Sequence, residues 1–532
     1  MTTDVAPRPA IEEPAPPPAD DGRPARRWIT AGVVAVVALG VALRLQSPSA
    51  LWLDEAISTS LSGLPLHEVP EALRQDGSPP LYALLLWCWE RLFGASPVAV
   101  RSLSAVFGVA TLGVIAVAGA RLAGRRAGIA ALLLLASSPF AVRYSTEARM
   151  YSLLALLVLC GFLALDGYLR HPGIGRGVLV GLVSGALALT HYWALFLLAT
   201  VTGVLLARAW RTRSRANLTA VGWMASGGLL FLPWLPSFRF QLAHTGTPWG
   251  VPPGFAVLLS TLEEWTGGAY THARVLAFLV VFLAAVGAAA TAVTGSRVEL
   301  DLRGRPPGRA LAVVVVVTLV LGLTFGRVTG ATYAARYTSV AMPLFLLLVA
   351  LGVARLPRSV GTPILVVAVI AGLAGAAPLA FDASRTEAPV IAAALRAQAL
   401  PGDVVVYCPD QLGPSTSRLL PDWLRQEVYP TGGSPARVDW VDYARRNRSA
   451  DPVAFARQVS ARTGNGVVWL VSLTGYRTYE GHCQELAQAL TDLRGGPLEV
   501  VGPDPQYFEQ SGLSGWPRHG APGPPAAPAT AP

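Results

Sequence analysis

Long apolar blocks alternate with short polar segments from residue 28 to residue 380. The blocks lack the charged face of a surface helix, so the pattern predicts buried or membrane-embedded helices. Crossing a bilayer takes about 20 apolar residues. Blocks at 28–45, 98–120, 129–142, 152–169, 178–190, 193–210, 218–235, 273–293, 310–325, 339–354 and 362–380 predict about eleven spans. The segment 78–94, "SPPLYALLLWCWERLFG", is the exception. Its apolar part is short, and a crossing there would put the basic "RLAGRRAG" loop on the outer side. It predicts a helix lying in or dipping into the outer leaflet.

Beyond residue 380 the period changes. "DVVVYCPD" and "GVVWLVSL" predict buried strands, and "DPVAFARQVSART" and "EGHCQELAQALTDL" predict amphipathic helices. That alternation predicts a small α/β domain over 381–510, without a glycine fingerprint for a nucleotide. Residues 1–27 and 511–532 are rich in Pro and Ala and predict disordered tails.

Composition agrees with the pattern. The 532 residues are 52% hydrophobic and 14% charged, whereas soluble domains carry about a quarter charged residues. The chain therefore predicts a polytopic α-helical protein of the cell membrane. The net charge of +10 sits in arginine clusters between apolar blocks. The positive-inside rule explains these clusters, so nucleic acid is not an expected partner. Arg23, Arg26 and Arg27 before the first span predict an inside N-terminus and an extracytoplasmic C-terminal domain. Cys88 and Cys160 lie in apolar blocks. Cys408 and Cys483 lie in the polar domain, where an outside location permits a disulfide.

The predicted outer segments share one chemistry. The first carries Asp54 and Glu55; the second Arg143, Tyr144, Glu147, Arg149 and Tyr151; the third His191 and Tyr192; the fourth Glu263, Glu264 and Trp265; the fifth Arg327, Tyr333, Arg336 and Tyr337. Carboxylates supply a general base, arginines grip phosphate, and aromatics stack on sugars. Plainer readings stand beside these. Trp52 and Trp265 fit interfacial anchors. His191 fits a satisfied turn residue, and Glu147 with Arg143 and Arg149 fits a structural ion network. Asp54 is set among apolar neighbours, which favours function.

Four motifs carry a resemblance: "LWLDEA", "DGSPPLYALLLWCWERLFG", "SSPFAVRYSTEARMYSLLAL" and "YAARYTSVAMP". In order and spacing they resemble the GT-C membrane glycosyltransferases. The likeness is to the polyprenyl-phosphate-sugar-dependent mannosyltransferases related to protein O-mannosyltransferases and to aminoarabinose transferases, over about 28–380. Ser78 departs from the pattern, standing where the family often has His or Lys.

The resemblance implies an inverting transferase moving a sugar, with mannose expected, from a polyprenyl-monophosphate donor. The acceptor is an extracytoplasmic hydroxyl of a protein, lipid or cell-wall glycan. Asp54, Glu55 and Glu147 are its expected catalytic carboxylates, with Asp54 the base. Arg143, Arg149, Arg336 and Tyr337 are the expected donor-phosphate group, with Arg336 first among them. Tyr144, Tyr151, His191, Tyr192 and Glu264 are expected to line the substrate site. No cofactor is required; a divalent metal is compatible with the scheme. The alternatives are an arabinose or aminosugar transferase, or a non-enzymatic transporter of lipid-linked glycans.

Overall fold

A computed structural model describes residues 23–517 except 269, 295–296 and 301–306. The first apolar block forms α1 (Arg23–Arg44). The first polar segment folds into three short helices, α2 (Leu53–Ser62), α3 (Val69–Asp76) and α4 (Leu81–Phe93). At 1.5 Å per residue, α4 is about 20 Å long, short of the roughly 30 Å hydrocarbon core, as expected for 78–94.

Helix α5 (Pro97–Ala136) is two limbs, broken at Ala123 and at Gly124, whose φ is 80°. The limbs pack closely because both carry glycine: a Cβ on Gly119 would lie 2.8 Å from the Ala127 carbonyl oxygen. Arg44 caps the second limb, donating to the carbonyls of Leu135 at 2.6 Å and Ala136 at 3.1 Å. Next come α6 (Pro139–Ser145), α7 (Tyr151–Arg170), α8 (Ile174–Thr190) and α9 (Trp193–Thr212). His191 and Tyr192 form the predicted tight turn.

Among the described residues, seven helices are long and apolar enough to cross a membrane. Trp28–Arg44, Ile174–Thr190 and Met342–Arg355 are shorter apolar helices. The chain is a multi-pass membrane protein.

Three expectations shift. The helix Arg215–His244 runs well past residue 235, where a loop was expected. Pro233 and Pro236 do not stop it, because each lies in the first turn of a helical segment, where a missing N–H costs little. The helix Val257–Thr266 fills much of the remaining loop and ends at Gly267, φ 97°. Third, the expected basic loop after residue 293 begins as a hairpin of β1 (Ala290–Thr294) and β2 (Arg297–Leu300).

The C-terminal domain is the predicted α/β unit. Its strands are β3 (Val404–Cys408), β4 (Arg425–Val428), β5 (Val468–Ser472), β6 (Leu498–Val501) and β7 (Gly512–Trp516). The sheet order is β4-β3-β5-β7-β6, with β4, β3 and β5 parallel and β7 antiparallel to both neighbours. Helices cover both faces, so β3 reads as an unbroken apolar run. Cys408 at the end of β3 is joined to Cys483 by a disulfide. Strand β7 corrects the boundary expected at residue 511. Leu513 and Trp516 are buried, so the sheet continues to residue 516. Of the tail expected at 1–27, residues 23–27 belong instead to α1, and residues 1–22, like the tail beyond 517, lie outside the described residues.

The domain shares a core with the first loop. Ile57, Leu61, Val69 and Leu73 join one buried cluster with Val404, Val438 and Trp440.

Candidate active site

Asp54 and Glu55 occupy the first turn of α2, where negative charge suits the helix dipole. Adjacent helix positions point about 100° apart, so the two acids face different partners. Arg101 grips Glu55 with two prongs, at 2.7 and 2.5 Å, and the Ala148 N–H adds a bond of 2.9 Å. Arg101 also donates to the carbonyls of Ser49 and Ala50. Glu55 has no exposed surface. The geometry therefore gives Glu55 a structural task, joining α2, α5 and the 146–150 loop, in place of the chemical one expected.

Asp54 faces the other way. Its Oδ2 lies 3.4 Å from Arg336 Nη1 and 3.8 Å from Arg149 Nε, with no closed hydrogen bond. Arg149 is steadied by Ser58, one turn along α2, at 3.2 Å. Arg336 is packed among rings, 5.3 Å from Trp249, 5.8 Å from Tyr337 and 5.9 Å from Trp52. His191 lies 5.1 Å from Tyr337 and 6.0 Å from Tyr151, and Tyr144 lies 4.9 Å from Tyr151. Burial, with Arg149 and Arg336 nearby, pushes the His191 pKa down to about 3. The ring is neutral, its Nδ1 accepting the Trp193 N–H at 3.1 Å.

Several buried polar atoms here have no hydrogen-bond partner: Trp52 Nε1, Asp54 Oδ2, Arg149 Nε, Arg336 Nε and the Tyr151 hydroxyl. Buried polar atoms are ordinarily paired. A cluster of them, mostly donors and including two arginines, suits a ligand bearing an anionic group.

The structure separates the other expected residues from this group. Arg143 pairs with Glu147 at 2.8 Å and Asp382 at 3.2 Å, and Glu147 also faces Arg385 at 4.0 Å. These four fasten the second loop to the start of the C-terminal domain. Tyr192 turns towards Gln241 and accepts from Trp234 Nε1 at 2.9 Å. Glu264 is exposed on its helix, within electrostatic reach of Arg143. Trp265 is buried and donates to Thr338 at 2.8 Å.

Asp76 was missed, although "DGSPPLY" displays it. Its carboxylate accepts from Ser78 at 2.5 Å and lies in the field of Asp54, Arg149 and Arg437; burial raises its pKa. Ser78, the departure from the family pattern, thus serves a carboxylate. Asp76 also lines a cavity of about 150 Å³ between α2, α3 and the 434–439 loop. Ile57, Leu61 and Val438 give it an apolar wall, and Gln75, Arg437 and Asp439 a polar one. Among the described residues, no three His, Cys, Asp or Glu side chains are grouped to hold a metal.

Residues 77–236 match the family model described as Dolichyl-phosphate-mannose-protein mannosyltransferase. No curated protein sequence matches the chain. The fold is similar to that of ArnT from Cupriavidus metallidurans in the apo state. The TM-score is 0.61 at 14% identity, covering 92% of this chain and 98% of that one. The same protein bound to undecaprenyl phosphate gives 0.57 at 15% identity, with the same coverage of 92% and 98%. The apo oligosaccharyltransferase of Archaeoglobus fulgidus gives 0.51 at 11% identity, covering 85% of this chain and 70% of that one. The chain thus shares its fold with these membrane-embedded transferases, and its residues 77–236 match the mannosyltransferase family model.

Proposed function

We propose that the chain transfers a sugar from a polyprenyl-monophosphate carrier to an acceptor hydroxyl on the extracytoplasmic side, inverting the anomeric centre. The observation that carries this reading is the Asp54 carboxylate, held beside Arg149 and Arg336 among unpartnered buried donors. The similar structure bound to undecaprenyl phosphate supports a polyprenyl carrier.

In this reading the acceptor oxygen attacks the anomeric carbon and Asp54 takes its proton. The anomeric C–O bond breaks, its electron pair remaining on the phosphate. Arg336, with Arg149, balances the charge that develops there, so the leaving group needs no proton. Neutral His191 and the Tyr144, Tyr151 and Tyr337 rings form an uncharged wall. The cavity beside Asp76 holds the acceptor, since Ile57 and Leu61 lie on the α2 face that bears Asp54. The scheme calls on no metal. Mannose is our first choice of sugar, on the matched family model.

The test is transfer in membranes from radiolabelled polyprenyl-phosphate mannose, wild type against Asp54→Asn. The expected result is transfer by wild type and a loss of about 10²-fold or more in the variant at equal protein level. Full activity in Asp54→Asn removes the base assignment. No transfer by wild type moves the choice to an arabinosyl or aminosugar donor.

A further inference from the structure

The last loop of the C-terminal domain reaches the helix that carries Asp54. Glu509 Oε2 accepts the backbone N–H of Leu53 at 3.3 Å, and its Oε1 accepts from Ser415 Oγ at 2.8 Å. The Leu53 N–H is one of the first-turn donors that a helix cannot satisfy internally. Trp52, at the N-cap, makes no side-chain cap bond, so the acceptor comes from 456 residues away. Phe508 adds an edge-on contact to Trp52, with ring centroids 5.6 Å apart.

The loop is itself fastened. The Glu509 N–H donates to the Arg385 carbonyl at 3.1 Å, and the Glu387 N–H donates to the Glu509 carbonyl at 2.9 Å. Arg385 in turn holds Thr146 through its carbonyl and hydroxyl, at 2.9 and 2.7 Å. The start of α2, the second loop and the end of the C-terminal domain are therefore tied to one another around Asp54.

We propose that Glu509 is a positioning residue for the transfer, capping α2 and fixing Asp54 in place, so that the C-terminal domain supplies part of the active site. The inference rests on the transferase reading. Losing the cap frees the first turn of α2, and a displacement of about 1 Å at a reacting group costs about 10²-fold. The donor contacts lie on Arg149 and Arg336, which Glu509 does not touch.

The experiment compares wild type, Glu509→Ala and Glu509→Gln in full-length protein. Transfer kinetics use polyprenyl-phosphate mannose, and hydrogen exchange follows the first turn of α2. The alanine variant is expected to lose about tenfold or more in kcat, with donor KM within about twofold. The glutamine variant, whose amide oxygen still accepts the Leu53 N–H, is expected to recover most of the loss. Exchange in the first turn is expected to speed up in the alanine variant alone. Unchanged kcat in the alanine variant overturns the proposal, as does a loss carried by donor KM or shared equally by both variants. Wild type that transfers no sugar from mannosyl, arabinosyl or aminosugar carriers sinks the transferase reading and the positioning role with it. Unaltered exchange in the alanine variant sinks the cap independently of activity.

Discussion

Arg336 Nη1 stands 3.4 Å from Asp54 Oδ2, close enough to attract and without a closed hydrogen bond. A closed bidentate pair would bind up both the proposed base and the cation. The looser geometry leaves the carboxylate free to take a proton and the guanidinium free to meet a second anion.

Arg336→Ala is therefore expected to lower kcat/KM for the polyprenyl-phosphate donor by about 10²–10³-fold. Arg336→Lys should recover only part of this, since an ammonium keeps the charge and loses the planar fork. Steady-state kinetics against donor concentration check both.

Glu55 predicts a different phenotype from its neighbour. Glu55→Gln leaves Arg101 buried without its countercharge, which costs about 3–5 kcal/mol in a buried pair. The expected outcome is a lower melting temperature and lower yield in detergent. Arg101→Met combined with Glu55→Gln should cost less than the sum of the single changes, which a double-mutant cycle measures.

His191 gives a pH signature. Its pKa of about 3 in the folded protein lies below the ordinary value near 6.5. The unfolded chain therefore binds the extra proton first, and stability falls as pH drops through the interval between the two values. Between pH 7 and pH 5 the loss is about 2 kcal/mol. His191→Asn should flatten that slope, as read by thermal unfolding at the two pH values.

The cavity beside Asp76 makes a separate prediction. Arg437→Ala and Gln75→Ala should raise the acceptor KM by about tenfold, the cost of one or two lost hydrogen bonds. The donor KM should stay constant. A bisubstrate kinetic matrix separates the two.

The apolar blocks were legible because a bilayer leaves few ways to satisfy a backbone, so helices follow from hydropathy alone. The acidic pair of α2 was legible too, but its division of labour was not. Glu55 is claimed by Arg101, which the sequence places inside an apolar block. "RYSTEARMY" joins Arg143, Glu147 and Arg149 on paper, yet the fold sends Arg149 to Asp54 and Arg143 to Asp382, 239 residues distant. No local pattern marks such partners. Pro236 misled in the opposite sense, marking the first turn of a helical segment where a loop was expected. Glu509 had no signal, lying in an irregular segment between β6 and β7.

The bond between Glu509 and Leu53 spans 456 residues, and that separation orders events in time. The ribosome adds about 5–20 residues per second, so roughly 20–90 s separate synthesis of the two partners. Throughout that interval the helix bearing Asp54 waits without its acceptor. On the proposed role of Glu509, the centre is complete only once residue 509 has been made and folded against the start of α2, so a nascent copy shorter than that carries Asp54 on an uncapped helix.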